Sequence, residues 1–289
     1  MSKFALIGAS GYIAPRHVEA IKHNNGELVA LLDPYDGIGY IDKYYPEASY
    51  FKESERFDRH LDRLRRKGQG VDYVSICSPN YLHDSHIRLA LRNQCNVICE
   101  KPLVLTYEHL EALKSIEKET NKKINTILQL RYHPTIKTLK EKYSNTNKLH
   151  KITLDYITPR GLWYDYSWKG DLGKSGGVAS NIGVHFFDML LWIFGDIKEY
   201  QVTNTPKTSS GTLILKNAEV KYNLSIRKED LPWDEWKPFR SIKIDNEELE
   251  FSTGFTELHN ISYTKILEGN GYGLDDVEPT IELIEKIRL

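Results

Sequence analysis

Short apolar runs at residues 4–7, 28–32, 71–77 and 96–99 each end in a polar turn, and helical periodicity separates most of them. The periodic stretches are 12–24, 86–91 and 107–119, the last with Thr106 as N-cap and Glu108 and Glu111 in or near its first turn. Runs that are apolar on both faces and linked by helices predict a parallel sheet of βαβ units, with residues 124–130 as one more buried strand.

After about residue 145 the rhythm changes. Strands are expected at 150–157, 210–215, 219–226, 240–244 and 248–251, with a hairpin loop over 245–247. One long helix, 184–194, interrupts them and stops at Gly195. The expectation is an α/β chain: an N-terminal Rossmann domain, residues 1–125, and a C-terminal α+β domain, residues 126–289, with an open, largely antiparallel sheet.

Composition narrows the function classes. The net charge of -1 gives no broad basic footprint for nucleic acid. The N-terminal apolar run turns at once into glycines and charges, unlike a signal peptide, and no run approaches the ~20 residues of a membrane span. Cys77, Cys95 and Cys99 form no CxxC pair and read as reduced thiols, so a cytoplasmic protein is expected. His83 and His86 are three apart, but no third ligand accompanies them, and no metal is expected.

Gly8-Ala9-Ser10-Gly11-Tyr12-Ile13-Ala14 sits where the first strand turns into the first helix, with Ser10 where such turns usually carry their second glycine. Glycines there admit a pyrophosphate to the backbone, and the helix N-terminus offers free N–H groups to its charge. A plain tight turn would also use glycine, but Asp33, 19 residues after Ala14, ends the second strand where an acid can hold the adenosine ribose. Pro34 and Tyr35 bring no cation for a 2′-phosphate, so NAD is expected rather than NADP.

Three further segments carry chemistry: Ser78-Pro79-Asn80-Tyr81-Leu82-His83, Glu100-Lys101-Pro102, and Gly183-Val184-His185-Phe186-Phe187-Asp188. In this order they resemble the (S/T)PNxxH, EKP and GxHxxD motifs of the Gfo/Idh/MocA oxidoreductases, and the resemblance runs through essentially the whole chain. Within that family the chain is most similar to the UDP-N-acetyl-glucosaminuronate 3-dehydrogenases of bacterial surface-polysaccharide synthesis, through GYIAPRH at 11–17, SICSPNYLH at 75–83, VICEKPL at 97–103 and the stretches around Arg160 and Asn181. It departs from that pattern near 202–216, where it is shorter, which puts a hairpin and a subunit contact in doubt.

The resemblance implies an NAD-dependent oxidation of the sugar C3 hydroxyl to a ketone. His185 is the better base by intrinsic pKa, and Lys101 could stabilise the developing alkoxide or take the proton itself. Asp188, three residues on, could orient the imidazole or serve a helix contact. Gly8, Ser10, Gly11, Tyr12, Ile13, Asp33, Ser78, Asn80, His83, Glu100, Lys101 and Gln129 would hold the cofactor; for His83, packing at a helix start is an equal reading. Arg16, Lys101, Arg131, Arg160, Trp163, Tyr164, Lys169, Asn181 and His185 would meet an anionic nucleotide sugar, and Arg16 and His17 could instead meet the pyrophosphate or the substrate carboxylate. A buried-aromatic lid is the alternative for 160–169. Other activities on this fold stay open: a free sugar or inositol dehydrogenase, or a non-catalytic NAD-binding regulator. The resemblance also admits 2-oxoglutarate as reoxidant, and the open sheet predicts a homo-oligomer, dimer or tetramer.

Overall fold

The computed structural model describes residues 1–144, 146, 148–249 and 254–288, which form two compact units. The first unit is Met1–Gln129 with Thr256–Val277, the second Leu130–Phe255 with Glu278–Leu289.

In the first unit six strands run parallel: β1 (Lys3–Ile7), β2 (Glu27–Leu32), β3 (Ser49–Phe51), β4 (Tyr73–Ile76), β5 (Asn96–Cys99) and β6 (Ile124–Thr126). Their order is β3-β2-β1-β4-β5-β6, so the winding reverses between β1 and β4. Ligands of doubly wound sheets bind beyond the carboxyl ends of the strands at such a reversal. Helices α1 (Ala14–His23), α2 (Ser54–Arg66), α3 (His83–Arg92) and α4 (Tyr107–Thr120) cross between strands. Thr106 caps α4 as expected, its hydroxyl accepting from the His109 N–H at 3.3 Å. The strand expected over 124–130 ends at Thr126, because Gln129–Tyr132 turns into a 3₁₀ helix.

The second unit begins with α5 (Pro134–Tyr143) and holds a mixed sheet: β7 (His150–Ile157), β8 (Ile197–Thr205), β9 (Thr208–Leu215), β10 (Ala218–Ser225), β11 (Phe239–Ile244) and β12 (Glu247–Glu248). In the order β12-β11-β7-β10-β9-β8, β7 and β10 pair in parallel and the other described neighbours antiparallel. Two single-turn helices, α6 (Trp163–Tyr166) and α7 (Leu172–Ser175), precede the long α8 (Val184–Phe194). Inward residues of β7 and β10 meet α8: the ring of Phe187 lies 5.2 Å from Tyr222, and that of Phe186 lies 4.7 Å from Tyr156. Leu172–Phe194 is long and apolar enough to resemble a membrane span, but 78% of its apolar window is buried, as in a core helix. The expected hairpin turns at Asp245 and Asn246, both left-handed at φ 51° and 70°. Of the strand expected over 248–251, residue 248 lies in β12, and residues 250 and 251 lie outside the described residues.

The chain then returns. Helix α9 (Leu258–Leu267) packs on α1 and places Tyr263 against Phe4, ring centroids 6.0 Å apart. The final helix α10 (Leu274–Arg288) contains the division between units, after Val277. Sequence pattern put all of 126–289 in one C-terminal domain. Contacts instead move the boundary to Gln129 and return 256–277 to the first unit. Local periodicity says that a helix has an apolar face, not which sheet covers it.

Candidate active site

The glycine turn is built for close approach. Gly8 adopts φ +83°, and a Cβ there would lie 2.6 Å from the backbone of Cys77 and Ser78, so β1 and the end of β4 meet only because the side chain is missing. Asp33 fixes the same turn, accepting from the N–H of Ser10 and of Tyr35, both at 2.9 Å. No side chain caps α1, whose N-cap is Ile13. Within its first turn Ala14 and Arg16 donate to the Gly11 and Ile13 carbonyls at 3.0 Å and Pro15 has no N–H, so the positive end of the helix rather than free donors of that turn would face a pyrophosphate, and Asp33 stands at the strand end where a ribose would lie. These residues fit NAD, with Tyr12 exposed and Gly11 and Ile13 half-buried beside it. Lys52, paired at 2.5 Å with Asp36, is a nearby cation that reading only Pro34 and Tyr35 overlooked.

Behind the turn lies a buried polar network that the motifs did not announce. Glu100 Oε1 accepts from Nε2–H of both His17 and His259, each at 3.0 Å. His17 Nδ1 accepts the Tyr263 hydroxyl at 2.8 Å, and Tyr263 accepts that of Ser75 at 2.6 Å. Burial raises the Glu100 carboxyl, but the two imidazole hydrogen bonds outweigh it and hold the group well below its ordinary value. Burial lowers His17, keeping the ring neutral. His17 is thus fully buried and cannot meet a substrate, correcting that expectation. His17, Glu100 and His259 are also the right types for a metal. The 3.0 Å spacings, however, are hydrogen-bond lengths, shorter than the ~3.3 Å edge that ~2.0 Å metal bonds at a tetrahedral angle require. Among the described residues His259 Nδ1 has no hydrogen-bond partner, whereas metal-bound imidazoles have an outer one. The apolar spacing of α9 carried no signal that His259 and Tyr263 belong to this network.

Lys101 follows Glu100 at the end of β5. Burial of its ammonium lowers its pKa, and the Glu100 carboxylate partly offsets this. Ser78 bonds His86 Nδ1 at 2.8 Å, and burial, then the His83 charge, pushes His86 down to about 4. Asn80 is buried, while Gln129 is half-buried at the end of the unit's first segment. His83 is buried at the start of α3, and both its ring nitrogens face backbone carbonyls. Arg16, half-buried, donates to the Thr256 carbonyl at 3.3 Å.

In the second unit His185 is the second residue of α8 and, with Trp192, one of two there that are not buried. The turn before it, Ala179–Gly183, is π-helical, a distortion common at functional sites. Asn181 in that turn donates to the hydroxyl of buried Tyr164 at 3.0 Å. Lys169 Nζ lies 5.5 Å over the Trp163 ring and 5.6 Å over that of Trp168, while Trp163 and Arg160 are exposed. Asp188, suggested by spacing as a partner for His185, receives Arg131 through two bonds of 3.0 and 2.7 Å. Thr280 adds a third bond at 3.3 Å. Arg131, expected beside the substrate, is thus buried in an ion pair, its guanidinium 5.6 Å over Trp192.

Comparison with known proteins finds two matching family models. The NAD-binding Rossmann fold of the Gfo/Idh/MocA oxidoreductase family matches residues 2–127, and the family's C-terminal alpha/beta domain matches 147–231. The WlbA (WbpB) dehydrogenase of Thermus thermophilus, solved with NAD and alpha-ketoglutarate and with NAD and UDP-GlcNAcA, is 46% identical. That likeness covers 100% of this chain and 95% of that one, at a TM-score of 0.96. The WlbA dehydrogenase of Bordetella pertussis, 18% identical over 99% of this chain and 94% of that one, shares the fold at a TM-score of 0.80. Among curated proteins, glucose-6-phosphate 3-dehydrogenase of Bacillus subtilis is 25% identical over 67% of this chain. The match spans only 54% of that relative's length.

Proposed function

Because this chain belongs to the Gfo/Idh/MocA oxidoreductase family, we propose that it oxidises the C3 hydroxyl of UDP-N-acetyl-glucosaminuronic acid to the 3-keto sugar with NAD. The observation that supports this reading is the end-to-end likeness to a dehydrogenase solved with NAD and UDP-GlcNAcA. NAD supplies the hydride acceptor. His185 takes the hydroxyl proton, and Lys101 donates to the same oxygen and stabilises the alkoxide as the C–H bond breaks. Arg160, Trp163, Lys169 and Asn181 hold the nucleotide sugar through cations and stacking faces, and Arg16 is a further cation toward it. In this reading the enzyme works in the cytoplasm as a homo-oligomer, in synthesis of a surface polysaccharide such as O-antigen, and 2-oxoglutarate reoxidises its NADH.

The test incubates the purified protein with UDP-N-acetyl-glucosaminuronic acid, NAD and 2-oxoglutarate and weighs the sugar by mass spectrometry. Loss of two hydrogens is expected, and its disappearance in both Lys101→Met and His185→Asn supports the roles. An unchanged sugar with NAD bound overturns the substrate assignment. Turnover of glucose 6-phosphate instead would favour the activity of the Bacillus relative.

A further inference from the structure

His83 presents a hydrogen-bonding pattern that a neutral imidazole cannot satisfy. Its Nδ1 lies 2.8 Å from the Pro102 carbonyl oxygen and its Nε2 lies 2.8 Å from the Ser78 carbonyl oxygen. Backbone carbonyls only accept, and a neutral ring has one N–H, so one nitrogen would point a lone pair at an oxygen at contact distance. Turning the ring over would replace both bonds by C–H contacts. The ring is 1% exposed, so no solvent can relieve the mismatch.

We infer that His83 is held as a buried imidazolium that ties the turn after β4 to the segment carrying Lys101, and so acts as a positioning residue for Lys101. The first carbonyl it holds belongs to Ser78, at the reversal of the sheet; the second belongs to Pro102, the residue after Lys101. Loss of one ring proton would release one of these two backbones.

The groups around the ring pull in both directions. Burial opposes the charged form and is the largest influence on the ring, driving its pKa down. The two carbonyls and the Glu100 carboxylate favour the proton, while the Lys101 ammonium opposes it. His86, on the same helix, is neutral and bonded to the Ser78 hydroxyl, so it adds no competing charge. Glu100 is kept ionised by two imidazole donors and is the counter-charge within reach. Against burial stands the cost of setting a lone pair against a buried carbonyl, and that geometry decides for the charged ring.

The positioning role rests on the reading of Lys101 as the group that meets the substrate oxygen, but the protonation state does not. The NAD-loaded protein with ¹⁵N-labelled histidine is examined by long-range ¹H–¹⁵N correlation, with His83→Gln assigning the signal. At pH 7 both His83 nitrogens should carry protons; one unprotonated nitrogen overturns the inference, whatever the substrate proves to be. Turnover should then fall on raising pH through the point where that ring titrates, with NAD affinity unchanged. His83→Gln, whose amide has two N–H donors and no charge, should lose this alkaline step yet keep turnover within about tenfold, whereas His83→Leu should lose about 100-fold through misplacement of Lys101. A His83→Leu protein that folds, binds NAD and turns over normally overturns the positioning role.

Discussion

Arg131→Met isolates the ion pair in the second unit and predicts a loss of stability large enough to measure cleanly. The variant keeps the aliphatic length but removes both guanidinium donors from Asp188, whose side chain is only 3% exposed. Stranding one partner of a buried pair costs about 3–5 kcal/mol. The Thr280 hydroxyl at 3.3 Å stays behind and should bring the loss to the lower end of that range. All five tryptophans, Trp163, Trp168, Trp192, Trp233 and Trp236, lie in the second unit, so their fluorescence reports its unfolding selectively. With a slope of about 2 kcal/mol per molar urea, the midpoint should fall by roughly 1.5 M. Arg131→Met combined with Asp188→Leu removes both charges and should recover most of the loss, a coupling of about 2 kcal/mol or more. A shift under ~0.3 M, or a double variant no better than the single one, would refute the reasoning.

Two further outcomes follow from the first unit. Gly8→Ala would force a side chain into the left-handed region at about 1–2 kcal/mol and set its Cβ 2.6 Å from the Cys77 and Ser78 backbone; calorimetry should show NAD affinity reduced at least tenfold, and unaltered binding would contradict the close-approach account. Acidification should weaken this unit in two steps, because neutral His17 and ionised Glu100 leave the folded state with fewer protons than the unfolded chain. Stability should drop as pH falls below the unfolded imidazole value of 6.5, and again below the unfolded carboxyl value of 4.5. Thermal unfolding of His17→Gln across that range should lose the first step, and an unchanged profile would contradict it.

Much of this is legible in the sequence. Apolar runs showed β1, β2, β4 and β5 because strands buried on both faces need no partner to be recognised. The helix over 184–194 and its Gly195 stop were equally plain. What escaped notice has a common physical cause. β8 is mostly exposed and polar, so its pairing with β9 leaves no hydrophobic alternation to read. β3 is three half-buried residues. Motif spacing placed Asp188 beside His185 on the helix, but could not show that a guanidinium from residue 131 arrives at its carboxylate. Likewise His259 reaches Glu100 across 159 positions of chain, a distance over which no local pattern speaks.

The return of residues 256–277 also dictates when the first unit can be completed during synthesis. A ribosome that has finished all six strands of the parallel sheet has yet to make Tyr263 and His259. Until it does, Phe4 has the ring of Tyr73 but not that of Tyr263 beside it, the Ser75 hydroxyl lacks its acceptor, and Glu100 has one imidazole donor instead of two. Nucleotide binding by the nascent chain should therefore lag behind completion of the strands, and chains cut before residue 256 should be poor ligand binders and ready substrates for chaperones and proteases.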